Sequence, residues 1–562
     1  MPLLPSLRAA GLFLAVLLPR AVHAERLFVG ILETDSYQSV IYGASAFSRL
    51  ADLPLALEWV QGTLDRAICL PSFAGADRGR TLRIVQTVET QTPVGAGNPA
   101  NVAIIPLTDD GRTVLETLAA AYRKQTRIES LTRFESPVST NHTPVVTVAV
   151  AKRHLFTSPS AEAVLWAWEN RSLLLDAPPQ SIPGTLRFLV NPQRLADLTG
   201  LRSEKTEAFG NTDRFLRDCE TFSFALTLDS QALTLTVRGK PAAGTGLARL
   251  AAAMRPPRAT LWNGLPEHAF FASLSACDAP HLWDPYLGPQ RLSLLRPGSG
   301  LAPTNGFSGD CLVALSPTRD QRGICLVRIE PVVRAADAEK AIRSLHTVTH
   351  TDGITLKPLP ARRTATGVEV VSYDLAFHAP DAVGNGKADL SVLNTLLALF
   401  LKQAVLETAV TEGFAITTVG PVQTLDRELP DLAFPERQLT LERRLRMRDP
   451  ALADEPLTTG ANLRLASLLR HLVSIIPNVK PEHLRLLPTG GDGAAFGLAR
   501  GADGSFTASL RFGTTEWAAL QRINRDGRAV LQELFFQMFA RQMMEMRQAP
   551  ADPAPRAPGP AP

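Results

Sequence analysis

Cysteine is scarce in this chain, with five in 562 residues. An odd, sparse set excludes a disulfide scaffold, because a chain of this length can bury a core without covalent staples. Excess charge of either sign is also missing: 58 basic against 54 acidic side chains leave a formal +4. Such a balance gives no electrostatic footprint for nucleic acid and no dense basic cluster for an anionic membrane. Long apolar runs are absent from the body of the chain. The nearest, Leu396 to Leu401, lies between Asn394 and Lys402. It is too short to cross a bilayer and reads as a buried helix face. No integral membrane segment is expected after the N-terminal leader.

Catalytic signatures are missing too. No G-x-S-x-G elbow occurs: Gly306-Phe-Ser-Gly309 and Gly298-Ser-Gly300 lack its spacing. There is no Walker loop. Gly491-Asp-Gly493 begins like a dinucleotide fingerprint, but Phe496 stands where the third glycine belongs, so it reads as a turn leading into a hairpin. Gly95-Ala-Gly97 runs into Asn98-Pro99, which prevents a helix from opening there. His346 and His350 have the i, i+4 spacing of two metal ligands, with Asp352 as a third. No glutamate separates them and the local Thr-Val-Thr run is β-branched, so solvated helix-end histidines are expected. Cys277-Asp278 with His281 reads as a free cysteine in a loop, and Glu267-His268 as a solvated strand entry. Asp109-Asp110 precede a helix, where negative charge complements the dipole; Glu33 and Asp35 read as the end of a strand. No catalytic, cofactor-binding or metal-ligating residue is assigned, and no cofactor is expected.

What is present starts with a leader. Arg8, the apolar run Ala9 to Leu18 and the small residues of Val22-His23-Ala24 form a secretory signal peptide over residues 1–24. Cleavage near Ala24-Glu25 would send the chain to the periplasm or outside the cell, with roughly 538 residues and a net charge of about +2. No cysteine follows the cleavage site, which argues against a lipid anchor.

The body shows internal self-similarity in pattern and order. Leu27 to Leu32 and Ala269 to Leu274 are opening strands. Strand Val102 to Pro106 precedes a helix with Val114, Leu115, Leu118, Ala121 and Tyr122 on one face. Strand Leu326 to Pro331 precedes one with Ala338, Ala341, Ile342 and Leu345. A hairpin from Val146 to Thr157 turning at Lys152-Arg153 matches one from Leu406 to Thr417 turning at Glu412-Gly413. Each runs into a helix with proline near its first position, Pro159 and Pro421. Arg194 to Leu198 matches Arg464 to Leu468. A last hairpin, Phe222–Leu228 with Leu233–Arg238, matches Phe496–Leu498 with Phe506–Arg511. These features predict an α+β fold: two tandem copies of a unit of antiparallel hairpins with packed helices, at 25–258 and 259–547. The second copy carries an insertion near 378–405, with a helix from Leu390 to Leu401, and a terminal helix from Glu516 to Arg547. The linker falls at Arg255-Pro-Pro-Arg258, before Trp262. Residues 548–562 are a Pro/Ala tail, expected to be disordered. Whether the two sheets join or remain separate lobes is left open.

Cys311 and Cys325 each open an arm of one hairpin. Antiparallel arms put them about four residues out of register, roughly 13 Å apart, so no bond between them is expected.

The leader, the two similar halves and the Ser158-Pro159 and Gly420-Pro421 helix entries resemble a loosely defined family of uncharacterised exported bacterial proteins, with Gly413 to Thr417 the closest local match. That family is one of unknown function and brings no site residues. Together the readings imply an exported, non-enzymatic binding or structural protein of the bacterial envelope, with a protein, a polymer or a hydrophobic ligand as partner. The alternatives are an envelope-acting hydrolase with its site between lobes, or a carrier of a hydrophobic ligand.

Overall fold

A computed structural model describes residues 26–70, 72–89, 100–122, 124–128, 130–135, 145–176, 182–203, 210–258, 269–278, 306–318, 323–343, 354–364, 367–377, 405–411, 413–426, 456–475, 479–491 and 493–528, together with Leu282, Tyr286, Gln532 and Phe536. The leader, His346, His350, Asp352, the insertion helix, most of the expected terminal helix and the Pro/Ala tail lie outside these residues.

The first ten strands are β1 (Arg26–Thr34), β2 (Arg83–Glu89), β3 (Ala100–Pro106), β4 (Lys124–Ile128), β5 (Leu131–Glu135), β6 (Val145–Ala151), β7 (His154–Ser158), β8 (Leu186–Val190), β9 (Cys219–Leu228) and β10 (Ala232–Pro241). The rest are β11 (Phe271–Ala276), β12 (Asp310–Pro317), β13 (Ile324–Pro331), β14 (Ile354–Pro358), β15 (Arg362–Arg363), β16 (Glu369–Phe377), β17 (Val405–Thr411), β18 (Phe414–Gly420), β19 (Leu457–Leu463), β20 (Ala494–Arg500) and β21 (Phe506–Gly513).

All twenty-one belong to one antiparallel sheet. This corrects the expected fold class: the hairpins do not close into two separate tandem α+β units. The physical reason lies at β10, whose outer edge would be left open in an isolated first unit. It pairs instead with β21, from Ala232↔Gly513 to Gly239↔Phe506. Outward from this seam one arm runs β10, β9, β8, β1, β2, β3, β7, β6, β5, β4. The other runs β21, β20, β19, β11, β12, β13, β18, β17, β16, with β14 and β15 sharing the far edge. Strands in matching places are joined in the same chain order in both arms. The sheets that the sequence left open as joined or separate are therefore joined.

Helices cover both faces of the first arm. On one face, α1 (Tyr37–Leu50), α2 (Pro54–Ile68) and α3 (Arg112–Ala121) press Val40, Phe47, Leu64 and Leu118 onto Leu32, Ile84 and Ile105. On the other, α4 (Ala161–Glu169) and α5 (Arg171–Asp176) press Ala163, Val164 and Leu174 onto Ile31, Val85, Ile104 and Phe156. Strands covered on both sides must be apolar on both sides, which is why β3 and β6 read as near-continuous apolar runs. Ser160 caps α4 by accepting from Ala163 N at 3.2 Å, so Pro159 precedes the cap and is not the first helical residue.

Helices α6 (Pro192–Ser203) and α7 (Gly210–Arg217) link β8 to β9, and α8 (Gly246–Ala253) follows β10. In the second arm α9 (Ala335–Arg343) follows β13, α10 (Leu465–Ser474) and α11 (Pro481–Arg485) link β19 to β20, and α12 (Thr514–Arg522) follows β21. The arms exchange their last helices. From α12, Trp517 packs edge-on against Phe47 of α1, with ring centroids 6.4 Å apart. From α8, Leu247 and Leu250 join a cluster with Leu498 and Phe506. The Arg255 linker is pinned: its guanidinium donates to buried Asp310 at 2.8 Å and to Asp278 at 2.7 Å.

None of the five cysteines is in a disulfide. Cys325 pairs with Ser316 in the β12–β13 register, far along the hairpin from Cys311, so the expected absence of a Cys311–Cys325 bond holds.

Candidate ligand-binding cleft

Strand β1 contains a bulge between Phe28 and Gly30. One extra residue in a strand moves every later side chain to the opposite face. Beyond it Glu33 sits on one rung with Arg83 of β2 and Arg187 of β8. Both carboxylate oxygens are taken: Arg83 Nε donates to Oε2 at 3.2 Å and Arg187 Nη2 to Oε1 at 2.9 Å. Arg187 Nη1 also reaches Asp35 at 2.6 Å. Arg83 Nη1 donates to the Leu174 and Leu175 carbonyls at the end of α5, where a cation is favoured. Glu33 is buried, and the arginine side chains are 14% and 13% exposed.

The other arm shows that the fold does not require these charges. Arg83 pairs with Ile104, and Ile104 with Phe156. In the matching places Leu312 pairs with Ile329, and Ile329 with Ile416. The rest of that rung is Leu274 and Gly460. Arg–Glu–Arg in one arm thus stands where the other has Leu–Leu–Gly. A buried ion ladder carries a desolvation cost that apolar packing avoids, so stability alone does not account for it.

Over this ladder opens a cleft of about 460 Å3, lined by Asp35, Gly79, Arg80, Thr81, Arg83, Ile104, His154 and Leu175. The β6–β7 hairpin delivers His154. Its two-residue turn, Lys152-Arg153, puts both residues at positive φ, the geometry that matches the strand twist but strains non-glycine residues. His154 Nδ1 lies 2.9 Å from the Lys152 carbonyl. Burial first, and the positive field of Arg80 and Arg83 with it, pushes the imidazole below its ordinary value, against that carbonyl's opposing pull. Arg80 is exposed and makes no ion pair among the described residues. A second, apolar cavity of about 50 Å3 lies under α2 between Leu64, Ala67, Ile84 and Phe188.

The sequence candidates are dispersed. Asp109 does the helix-start work expected of it, accepting from Gly111 N at 2.7 Å and from Thr113, and these bonds lower its pKa, that from the Thr113 hydroxyl most. Cys277 is buried beyond β11 and Asp278 pairs with Arg255; His281, Glu267 and His268 lie outside the described residues. Burial pushes the Cys219 and Cys311 thiols up to about 12, which makes them poor nucleophiles. Gly491 and Gly493 precede β20, Gly493 at positive φ. Of Glu33 and Asp35, read from sequence as a strand end, Asp35 lines the cleft and Glu33 is buried against Arg83, which lines it too. Arg80, Arg83, Arg187 and His154 were not singled out. Their signal, positions facing across three strands, is invisible without the bulge.

Comparison with known proteins gives no match, either to a family model, to a curated protein or to a solved structure. The resemblance to exported bacterial proteins therefore stands as a proposal.

Proposed function

We propose that this is an exported, non-enzymatic binding protein of the bacterial envelope that takes its ligand in the first-arm cleft. The observation that carries this reading is the asymmetry of one rung: Arg83–Glu33–Arg187, whose Arg83 lines a polar cleft, stands where the other arm has Leu312–Leu274–Gly460. Binding suits the geometry better than hydrolysis. Glu33 accepts from a guanidinium at each oxygen and Asp35 from a third donor, so neither carboxylate is placed as a general base. The carrier alternative calls for an apolar cavity of several hundred Å3, and the apolar cavity under α2 is about 50 Å3.

The test uses the second arm as a template. The triple variant Glu33→Leu, Arg83→Leu, Arg187→Gly should fold and lose any small molecule that native mass spectrometry finds on the wild-type protein. Wild-type protein that carries nothing, or a variant that retains the same ligand, counts against the reading.

The hydrolytic alternative rests on His154, whose Nε2 could serve as a base in the same cleft. Turnover of an ester or amide panel that is abolished by His154→Gln would favour it.

A further inference from the structure

We propose that the cleft holds a compact oxyanion, a carboxylate or phosphate group of its ligand, between Arg80 and His154, and that binding places a proton on His154 Nε2. The inference rests on the cleft being the binding site.

Arg80, Arg83 and Asp35 line the cleft with His154; behind them Glu33 of β1 and Arg187 of β8 are paired with this set, and Lys152 and Arg153 of the His154 turn and Asp176 of α5 complete the charged groups nearby. Glu33 and Asp35 are matched by Arg83 and Arg187. Lys152 lies 3.8 Å from Asp176, and Arg153 donates to the Thr108 carbonyl. Arg80 makes no ion pair among the described residues, and unlike Arg153 it lines the cleft, beside Thr81 and His154. An exposed planar fork of donors suits a carboxylate or phosphate oxygen pair.

The histidine adds a condition. A carbonyl oxygen only accepts, so His154 Nδ1 must be the donor to Lys152. In the neutral ring Nε2 is then an acceptor, whose lone pair opposes an oxyanion. A second proton converts Nε2 into a donor aimed at the same charge. Burial and the two arginines disfavour that proton. An anion seated between them offsets the repulsion and raises the proton affinity of the ring. Binding must therefore tighten as pH falls from the bound-state pKa toward the lower free-state value, and flatten outside that window.

The experiment is calorimetric titration of the mature chain with sulfate, tetrahedral and of constant charge, and with acetate, planar, at pH 6.0 and 8.0. Affinity should be about tenfold higher at pH 6.0, with uptake of close to one proton, read from two buffers of different ionisation heat. His154→Gln should abolish the pH dependence and leave the weaker binding. Arg80→Gln should lower affinity about tenfold at both pH values. Tighter sulfate identifies a phosphate-type group, and tighter acetate a carboxylate. Wild-type binding that ignores pH, or a His154→Gln protein that keeps the dependence, overturns the proposal. If neither anion binds while the triple variant still loses the native ligand, the oxyanion inference fails and the cleft reading survives. If the triple variant also keeps that ligand, both fail.

Discussion

Glu33 shows how much one residue's environment depends on events elsewhere in the chain. Its partners are 50 and 154 positions away, and period-two reading from Leu27 would pair Leu32, not Glu33, with Leu274. The bulge moves the strand by one residue and reverses the answer. Asp109 was legible because its partners lie within four residues. Glu33→Leu leaves two mostly buried guanidinium groups facing each other and should cost about 3 kcal/mol, discounted somewhat because Arg83 and Arg187 retain some solvent contact. Adding Arg83→Leu and Arg187→Gly should recover most of that loss, as the rung through Leu274 does without charge. Urea midpoints of the single and triple variants decide it. A triple variant less stable than Glu33→Leu would mean that the ladder stabilises the fold in its own right.

Single elements were the most legible part of the molecule. Alternating and near-continuous apolar runs located β3, β6, β7, β9, β10, β13, β17 and β18, and helical spacing located α3 and α9. What escaped notice was how distant elements cap one another. In the first arm, α6 begins with its own cap: Asn191 Oδ1 accepts from Arg194 N at 3.1 Å. In the matching place α10 has Arg464, which supplies no side-chain cap. Glu516 of α12, fully buried, accepts from Ala466 N at 2.8 Å instead. Gly491 makes room for this: a Cβ there would stand 2.5 Å from Glu516 N. Glu516→Ala should therefore cost about 1–3 kcal/mol, the loss of a cap plus a buried acceptor. Glu516→Gln, which keeps the oxygen, should cost less. The comparison is made by chemical denaturation, and equal losses in the two variants would show that the charge, not the cap, matters.

At the scale of the whole molecule, the seam decides what can fold alone. Linker composition at Arg255-Pro-Pro-Arg258 pointed to a boundary between units. The chain is nonetheless bound across it, and three of the contacts are the β10–β21 ladder, Trp517 on Phe47, and Leu247 and Leu250 with Leu498 and Phe506. None of these contacts is visible in a sequence window, because each joins residues more than two hundred positions apart. Gly239 at the end of the ladder lies under the Phe506 ring, 2.4 Å from where a Cβ would stand, so even the close approach of the two arms is built into a residue choice. A fragment of residues 25–258 would lose all three contacts at once. Its β10 would become a ten-residue open edge bearing Leu233, Leu235 and Val237, the kind of edge that recruits another strand. Expressed alone, this fragment should self-associate or fail to fold. Mixed with residues 259–562 it should give a 1:1 complex, with slow amide exchange restored along β10. Sedimentation of the isolated fragment checks this directly. A folded monomer would mean that the seam is a contact between finished domains, whereas the exchanged helices require it to be part of a single core.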